Sequence, residues 1–335
     1  MKKQQNLILF IPGFKGSTLV NENNQLIWPN FMRAQFDKHT SLKQDPNSPI
    51  GQHANYRAND IVHAAPLIPK ILSYDIYGSF IKQFEKNLDE HTKLLPFFYD
   101  WRDDLEKSVE KLKGRLDKHC RHNEGTIDLI CHSMGGLLAT ALLANIAPKT
   151  IRYLFFVSTA FKGAPKTLLD LANGSKLGFN RALLSSKAIA SFYSLYYLLP
   201  QHSDFIDDND LFELKTWKNL ALESFVKDSF TEEDLEKRLV KAKRFYENMR
   251  LLKSAPLKAK KLIFVNNQTL QTPTKIKFKP HIHAEFSLGD GTIPAKSLKV
   301  PSYLAHYPHD IYAIDKVHAK SFKSKQLLDI IQNYR

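Results

Sequence analysis

The sequence predicts an α/β fold: a mostly parallel central sheet flanked by helices, with a helical insertion. Three observations predict it. Compact apolar runs at Asn6–Ile11, 126–131, 152–157 and 261–265 read as strands buried on both faces. Stretches with apolar residues at helical spacing alternate with them, the pattern of βα units. Between Gly163 and about Lys258 the alternation gives way to a long helix-rich region, which reads as an insertion. The 335 residues suffice for one large domain or two ordinary ones, and 43% hydrophobic against 24% charged residues is a globular balance. Disorder, collagen-like repeats and coiled coil are excluded, and no apolar stretch approaches the ~18 residues that a membrane span requires.

Taken in order, the first run is stopped by Pro12-Gly13 and reads as a strand rather than the core of a secretory signal, which needs a longer apolar region and a cleavage site. Residues 20–56 form a polar excursion. Residues 77–88 have helical spacing, 93–99 look like a strand, and 103–119 mix charged and aliphatic residues as a surface helix does. The strand at 126–131 leads to Gly135-Gly136 and a helical run over 137–146. A strand at 152–157 precedes the insertion, which carries the aromatic cluster Phe192-Tyr193-Ser194-Leu195-Tyr196-Tyr197. A strand at 261–265 and a helix at 325–334 complete the chain. The expected organisation is a core over 1–162, with the excursion at about 20–60, a helical cap over 163–258, and the rest of the core over 259–335.

Cys120 and Cys131 are too few for a disulfide scaffold or a cysteine-built zinc site, so reduced thiols and a cytoplasmic location are expected, although export by dedicated machinery would leave the same pattern. The formal net charge is +14, and between residues 251 and 300 nine lysines stand against Glu285 and Asp290, a local excess of +7. Such a surface suits anionic partners or simply solubility. No nucleic-acid module accompanies it, so nucleic acid is not expected as a partner.

The chemistry-bearing segment is Thr126-Ile127-Asp128-Leu129-Ile130-Cys131-His132-Ser133-Met134-Gly135-Gly136. Strand, sharp turn and helix in that order are the layout of a nucleophile elbow presenting Ser133, with small residues two positions away on either side because strand and helix approach closely. Cys131 stands where a glycine is usual. A serine hydroxyl needs a base, and the base an orienting acid. Asp290, in Gly289-Asp290-Gly291-Thr292-Ile293-Pro294, and His318, before the last helix, fit in order and spacing. Taken alone, Asp290 is an ordinary turn aspartate and His318 one histidine of thirteen. His306 and His309 compete for the base, but His318 leaves room for a strand at 311–314. His132 should face away from the nucleophile. Acyl chemistry also needs two backbone N–H donors for the oxyanion. Met134, following the nucleophile, and Phe14, in the glycine-flanked loop after the first strand, are the candidates.

With these residues assembled, the chain resembles the lecithin:cholesterol acyltransferase family. The resemblance rests on Ile11-Pro12-Gly13-Phe14-Lys15-Gly16-Ser17, Tyr99-Asp100-Trp101-Arg102, His132-Ser133-Met134-Gly135-Gly136, Phe161-Lys162-Gly163-Ala164-Pro165 and Gly289-Asp290-Gly291-Thr292-Ile293-Pro294. It implies an α/β-hydrolase fold, a cap over an acyl pocket, and a triad of Ser133, Asp290 and His318. Many relatives carry an acidic residue at the position of Phe14, so any pH tuning by that side chain would be lost here. Tyr99 to Arg102 is expected to brace the core through a buried Asp–Arg pair.

The function expected is a serine esterase or acyltransferase on lipid esters, using no cofactor and no metal. The partners expected are a lipid or ester substrate and an anionic membrane surface. The alternatives are an esterase or thioesterase of small soluble substrates and a binding protein that has lost turnover. Acyl-chain contact is expected around Phe192 to Leu199, which could equally be plain cap core. Headgroup, acceptor and oligomeric state are not legible.

Overall fold

The computed structural model describes residues 5–30, 37, 40–44, 56–68, 72–147, 150–175, 180–201, 203–207, 209–278 and 281–335. Lys279 and most of the excursion at 20–56 lie outside these. The strands are β1 Asn6–Ile11, β2 Ser17–Val20, β3 Leu26–Trp28, β4 Arg57–Ile61, β5 Ala64–Ile68, β6 Leu72–Asp75, β7 Thr92–Pro96, β8 Ile127–His132, β9 Ile151–Val157, β10 Ala259–Asn266, β11 Leu270–Lys277, β12 His283–Gly289 and β13 His309–Ala313. The longer helices are α1 Gly78–Glu85, α2 Leu105–His122, α3 Met134–Leu143, α4 Lys166–Asn173, α5 Glu232–Arg250 and α6 Lys325–Asn333. No described helix is long and apolar enough to cross a membrane.

Six strands form a parallel sheet in the order β13-β10-β9-β8-β1-β7. Alternation along β1 sorts its side chains into two layers. Leu7, Leu9 and Ile11 join Leu112 and Leu116 of α2 and Leu137 and Leu138 of α3. Ile8 and Phe10 join Phe80 and Phe84 of α1 and Leu327 and Ile331 of α6 on the opposite face. This is the α/β-hydrolase fold. All ten residues of α3 are buried, which accounts for its lack of a polar face. By contrast α2 is amphipathic, capped by Asp104, whose side chain accepts from the Glu106 amide, and closed by His119, Arg121 and His122 near its C-terminal dipole end.

Several elements differ from expectation. β7 stops at Pro96 instead of continuing to Tyr99, and its last bond to β1 runs from Phe97 N–H to the Phe10 carbonyl (2.8 Å). α3 begins at Met134, so Gly135 and Gly136 lie inside the helix. A three-stranded sheet, β3-β2-β4, forms where the chain enters and leaves the excursion, and the polar composition there conceals it. An antiparallel hairpin, β11–β12, occupies the interval before Asp290, where no strand was expected.

Candidate active site

All the site residues gather at the carboxyl edge of the sheet, where open α/β sheets bind their ligands. β8 delivers Ser133 in a strained backbone conformation (φ 51°, ψ −120°), a geometry that typically costs about 1–3 kcal/mol and persists only when its surroundings over-determine it. The surroundings here do so. The Ser133 amide donates to the Val157 carbonyl (2.9 Å), and its carbonyl accepts from Gly136 N–H (2.9 Å). A Cβ on Gly135 would fall 2.5 Å from the Ile11 carbonyl oxygen and 2.6 Å from that of Pro12, so only glycine lets α3 start against the end of β1. Cys131 fits fully buried two residues before the serine, its thiol pKa pushed well up by burial. It is a packing residue.

His318 Nε2 lies 3.0 Å from Ser133 Oγ, and His318 Nδ1 lies 2.7 Å from Asp290 Oδ2. The carboxylate accepts from Nδ1–H, which leaves Nε2 to accept from the serine hydroxyl. Asp290 is fully buried, and its other oxygen accepts from the Thr292 (3.0 Å) and Ile293 (2.7 Å) amides. The His318 amide donates to the Asp290 carbonyl (2.9 Å), which clasps the two loops together. Neither competing histidine lines the cleft that holds Ser133 and His318. His309 lies on β13 with its ring against the Tyr307 carbonyl, and His306 packs on Tyr307.

The loop after β1 comes equally close: a Cβ on Gly13 would lie 2.9 Å from Ser133 Cβ. Neither the Phe14 nor the Met134 N–H meets an acceptor among the described residues. For Met134, at the first position of α3, this is the ordinary orphan donor of a helix N-terminus. Tyr99 and Trp101 brace this loop. Tyr99 N–H donates to Ser17 Oγ (3.1 Å), Tyr99 O–H to the Pro12 carbonyl (2.9 Å), and Trp101 Nε1–H to the Ser17 carbonyl (3.0 Å). Arg102 grips Asp100 with two nitrogens, at 2.9 and 2.6 Å, and donates to the Leu42 and Tyr56 carbonyls.

Ser133 and His318 open onto a mainly apolar cleft of about 360 Å³, walled by Phe14, Trp28, Ile76, Leu195, Leu198 and Ile293. From the aromatic segment 192–199 only Leu195 and Leu198 reach it, while Phe192, Tyr196 and Tyr197 are interior packing. Lys15, also in the cleft wall, was not singled out by sequence. Its Nζ donates to Ser175 Oγ (3.2 Å) beside Lys166 and Asp170, and burial draws its pKa down to about 8. Tyr77 was likewise not singled out by sequence, whereas His132 was expected to face away from the nucleophile. His132 turns away from Ser133, toward Tyr77 and the His318 carbonyl.

The model of the lecithin:cholesterol acyltransferase family matches residues 16–248, more than half of the chain. Ser133 lies within that span, whereas Phe14, Asp290 and His318 lie outside it and are brought to the site by the fold. Among curated proteins, none matches this chain in sequence. Among solved structures, the Tle4–Tli4 complex matches with a TM-score of 0.61 at 12% identity, over 100% of this chain and 99% of the other. The lipase BlEst2 of Bacillus licheniformis superposes less closely, with a TM-score of 0.42 at 13% identity over 99% of this chain and 91% of the other. At such identities the likeness is one of fold. The chain belongs to the lecithin:cholesterol acyltransferase family, and family and fold together point to an esterase- or lipase-type hydrolase.

Proposed function

We propose that this protein is a serine hydrolase and O-acyltransferase of lipid esters that works through an acyl-enzyme on Ser133. The observation that carries the reading is the Ser133–His318–Asp290 hydrogen-bonded line opening onto an apolar cleft. Ser133 Oγ attacks the ester carbonyl as His318 Nε2 takes its proton, and Asp290 holds the imidazole in the tautomer that can accept it. The Phe14 and Met134 amides receive the oxyanion, a contribution typically of about 10²–10³-fold per donor. The alkoxide leaves with the proton from His318. Water or an alcohol then gives its own proton to His318 and takes the acyl group. Residues 163–258 act as the cap over the acyl chain, with Leu195 and Leu198 in contact with it.

Lipid-surface contact is supported by Phe286 and Leu288, which are exposed on one face of β12 beside the site. The lysine excess is partly consumed within the protein, since Lys275 and Lys277 both pair with Asp207 and Lys261 with Asp310. Lys253 and Lys258 have no acidic partner among the described residues and would serve an anionic bilayer, at about 1 kcal/mol per well-placed cation. Liposome binding that ignores both salt and anionic lipid would remove this part of the reading.

The test is product analysis by mass spectrometry on mixed phospholipid vesicles, with and without a long-chain alcohol, for the parent and Ser133→Ala. Fatty acid and lysophospholipid from the parent alone support hydrolysis, and new esters of the alcohol support transfer. Cleavage of a soluble short-chain ester with no lipid product would keep the nucleophile and discard the lipid substrate. Failure of a fluorophosphonate to label Ser133 would leave only a binding protein.

A further inference from the structure

Beneath the site runs a second hydrogen-bonded line that the reaction itself does not use. Gly13 N–H lies 3.3 Å from Tyr77 Oη, Tyr77 Oη lies 2.7 Å from His132 Nδ1, and His132 Nε2 lies 3.3 Å from the His318 carbonyl oxygen. Both side chains are buried, at 2% exposure for Tyr77 and 6% for His132. The direction of every bond follows by elimination. A carbonyl can only accept, so His132 Nε2 must carry the proton. Nδ1 is then an acceptor, Tyr77 O–H donates to it, and Tyr77 Oη accepts from Gly13 N–H.

The ends of this line matter. Gly13 begins the peptide that carries the Phe14 amide. The preceding peptide, Pro12–Gly13, is held at both polar atoms by tyrosine hydroxyls: its carbonyl by Tyr99 (2.9 Å) and its N–H by Tyr77. At the far end, the His318 carbonyl also accepts from Ser321 Oγ (3.0 Å), so two donors fix the backbone beneath the imidazole. The rings of His132 and His318 lie 5.0 Å apart, and Phe322 packs edge-on against both Tyr77 and His132. Burial keeps His132 uncharged well below its ordinary range, with the nearby His318 acting in the same direction, and burial drives the Tyr77 hydroxyl pKa up. Near neutral pH both shifts favour the protonation pattern that the bond directions require.

We propose that Tyr77 and His132 are positioning residues for the acyl-transfer reaction, linking the loop that offers the Phe14 amide to the loop that carries His318 so that oxyanion donor and base are held as one unit. The inference rests on the reading of Ser133 as nucleophile and His318 as base. Tyr77→Phe removes both the donor to His132 and the acceptor for Gly13. His132→Asn keeps an acceptor near Nδ1 but loses the donor to the His318 carbonyl.

The test is steady-state hydrolysis of a soluble short-chain ester, normalised to the sites titrated by a fluorophosphonate. Because sub-ångström to ångström misplacement of reacting groups costs up to about 10²-fold, kcat per titrated site should fall about 10- to 100-fold in each variant while KM stays within about two-fold. The double variant should be no slower than the slower single one, because a line broken once is already broken. A kcat per titrated site within two-fold of the parent in either variant, or losses that multiply in the double one, would overturn the proposal. A purely structural role would lower the melting temperature and the titratable fraction without lowering kcat per site. If Tyr77→Phe does not fold, His132→Asn carries the single-variant test. Undiminished turnover by Ser133→Ala would instead defeat the underlying reading, so the two failures are separable.

Discussion

The carboxyl edge of the sheet and the Arg238 site in the helical region between residues 163 and 258 hold buried polar groups in different ways. At the edge, polar atoms meet in directional lines: Ser133 to His318 to Asp290, Gly13 to Tyr77 to His132, and Arg102 gripping Asp100. In the helical region the buried guanidinium of Arg238 lies among aromatic faces, 3.7 Å from the centroid of Tyr193, 4.4 Å from Phe230 and 5.5 Å from Tyr196. It donates to the Ser191 carbonyl (3.1 Å), while its Nε has no partner among the described residues. Directional lines fix atoms closely but fail when a single atom changes. A cage of ring faces spreads its cohesion over many contacts and fixes little. The two regions meet at Asp104, which caps α2 and accepts from Tyr197 Oη and Lys241.

The sharpest break of that contrast exchanges one atom at the edge. Asp290→Asn keeps an oxygen able to accept from the Thr292 and Ile293 amides, so the loop should hold its shape. An amide nitrogen turned toward His318 Nδ1 would, however, select the opposite tautomer and take away the acceptor for the serine proton. The expected result is a loss of about 10⁴ in kcat with a melting temperature close to that of the parent. Ester kinetics and a thermal melt decide it. Joint loss of fold and activity would mean that Asp290 serves the loop more than the imidazole.

How far each part of the molecule was legible in the sequence follows the same division. The elbow was readable because its demands are local: a buried strand, a turn, and a glycine at 135 forced by the Ile11 and Pro12 carbonyls. The parallel strands were readable because burial on both faces leaves continuous apolar runs. The β11–β12 hairpin was not, since its outward residues leave no clean alternation and a register shift falls between Pro273 and Lys275. The Tyr77–His132 line was illegible for another reason. It joins Gly13, Tyr77, His132 and His318 from four separate segments, and nothing in the spacing of a tyrosine ahead of a helix announces a partner 55 positions away. The bracing role of Tyr99 to Arg102 was expected from family resemblance, whereas its targets, Ser17 and Pro12, needed the fold.

The two arginines sharpen the comparison through stability. Arg102→Met takes the guanidinium from the Asp100 carboxylate and leaves the Leu42 and Tyr56 carbonyls short of a donor, so the expected cost is about 3 kcal/mol, toward the lower end for a broken buried pair because Asp100 keeps the residue-102 amide and some solvent contact. Arg238→Met fills the same cage with apolar volume and removes the unpartnered Nε, but gives up the hydrogen bond to the Ser191 carbonyl and a cation–π attraction of about 1–2 kcal/mol. Urea unfolding should therefore rank Arg102→Met as the more damaging change. The reverse order would show that the aromatic cage depends on its cation as strongly as the edge depends on its carboxylates.

Lys15 stands between the two modes, and the smallest expected effect concerns it. Its ammonium rests 5.3 Å from the Phe14 ring centroid and donates to a neutral hydroxyl, Ser175. Burial is the main reason its pKa falls to about 8, with Asp170 opposing and Lys166 assisting. An unfolded lysine titrates near its ordinary value of 10.5, so between about pH 8 and 10.5 the unfolded chain binds more protons than the folded one. Folding stability contributed by this site must therefore rise with pH across that window, and below it the cost of burying the charge is borne in full. Lys15→Met keeps the apolar stem over Phe14 and removes that cost. The variant should be more stable than the parent at pH 7 by about 1 kcal/mol, discounted because Lys15 as a residue is only partly buried, and the difference should shrink toward pH 10. Urea unfolding of both proteins from pH 7 to 10 measures it. A gap that stays constant, or a parent that is the more stable at pH 7, would mean that the ring face and Ser175 together solvate the ammonium as well as water does.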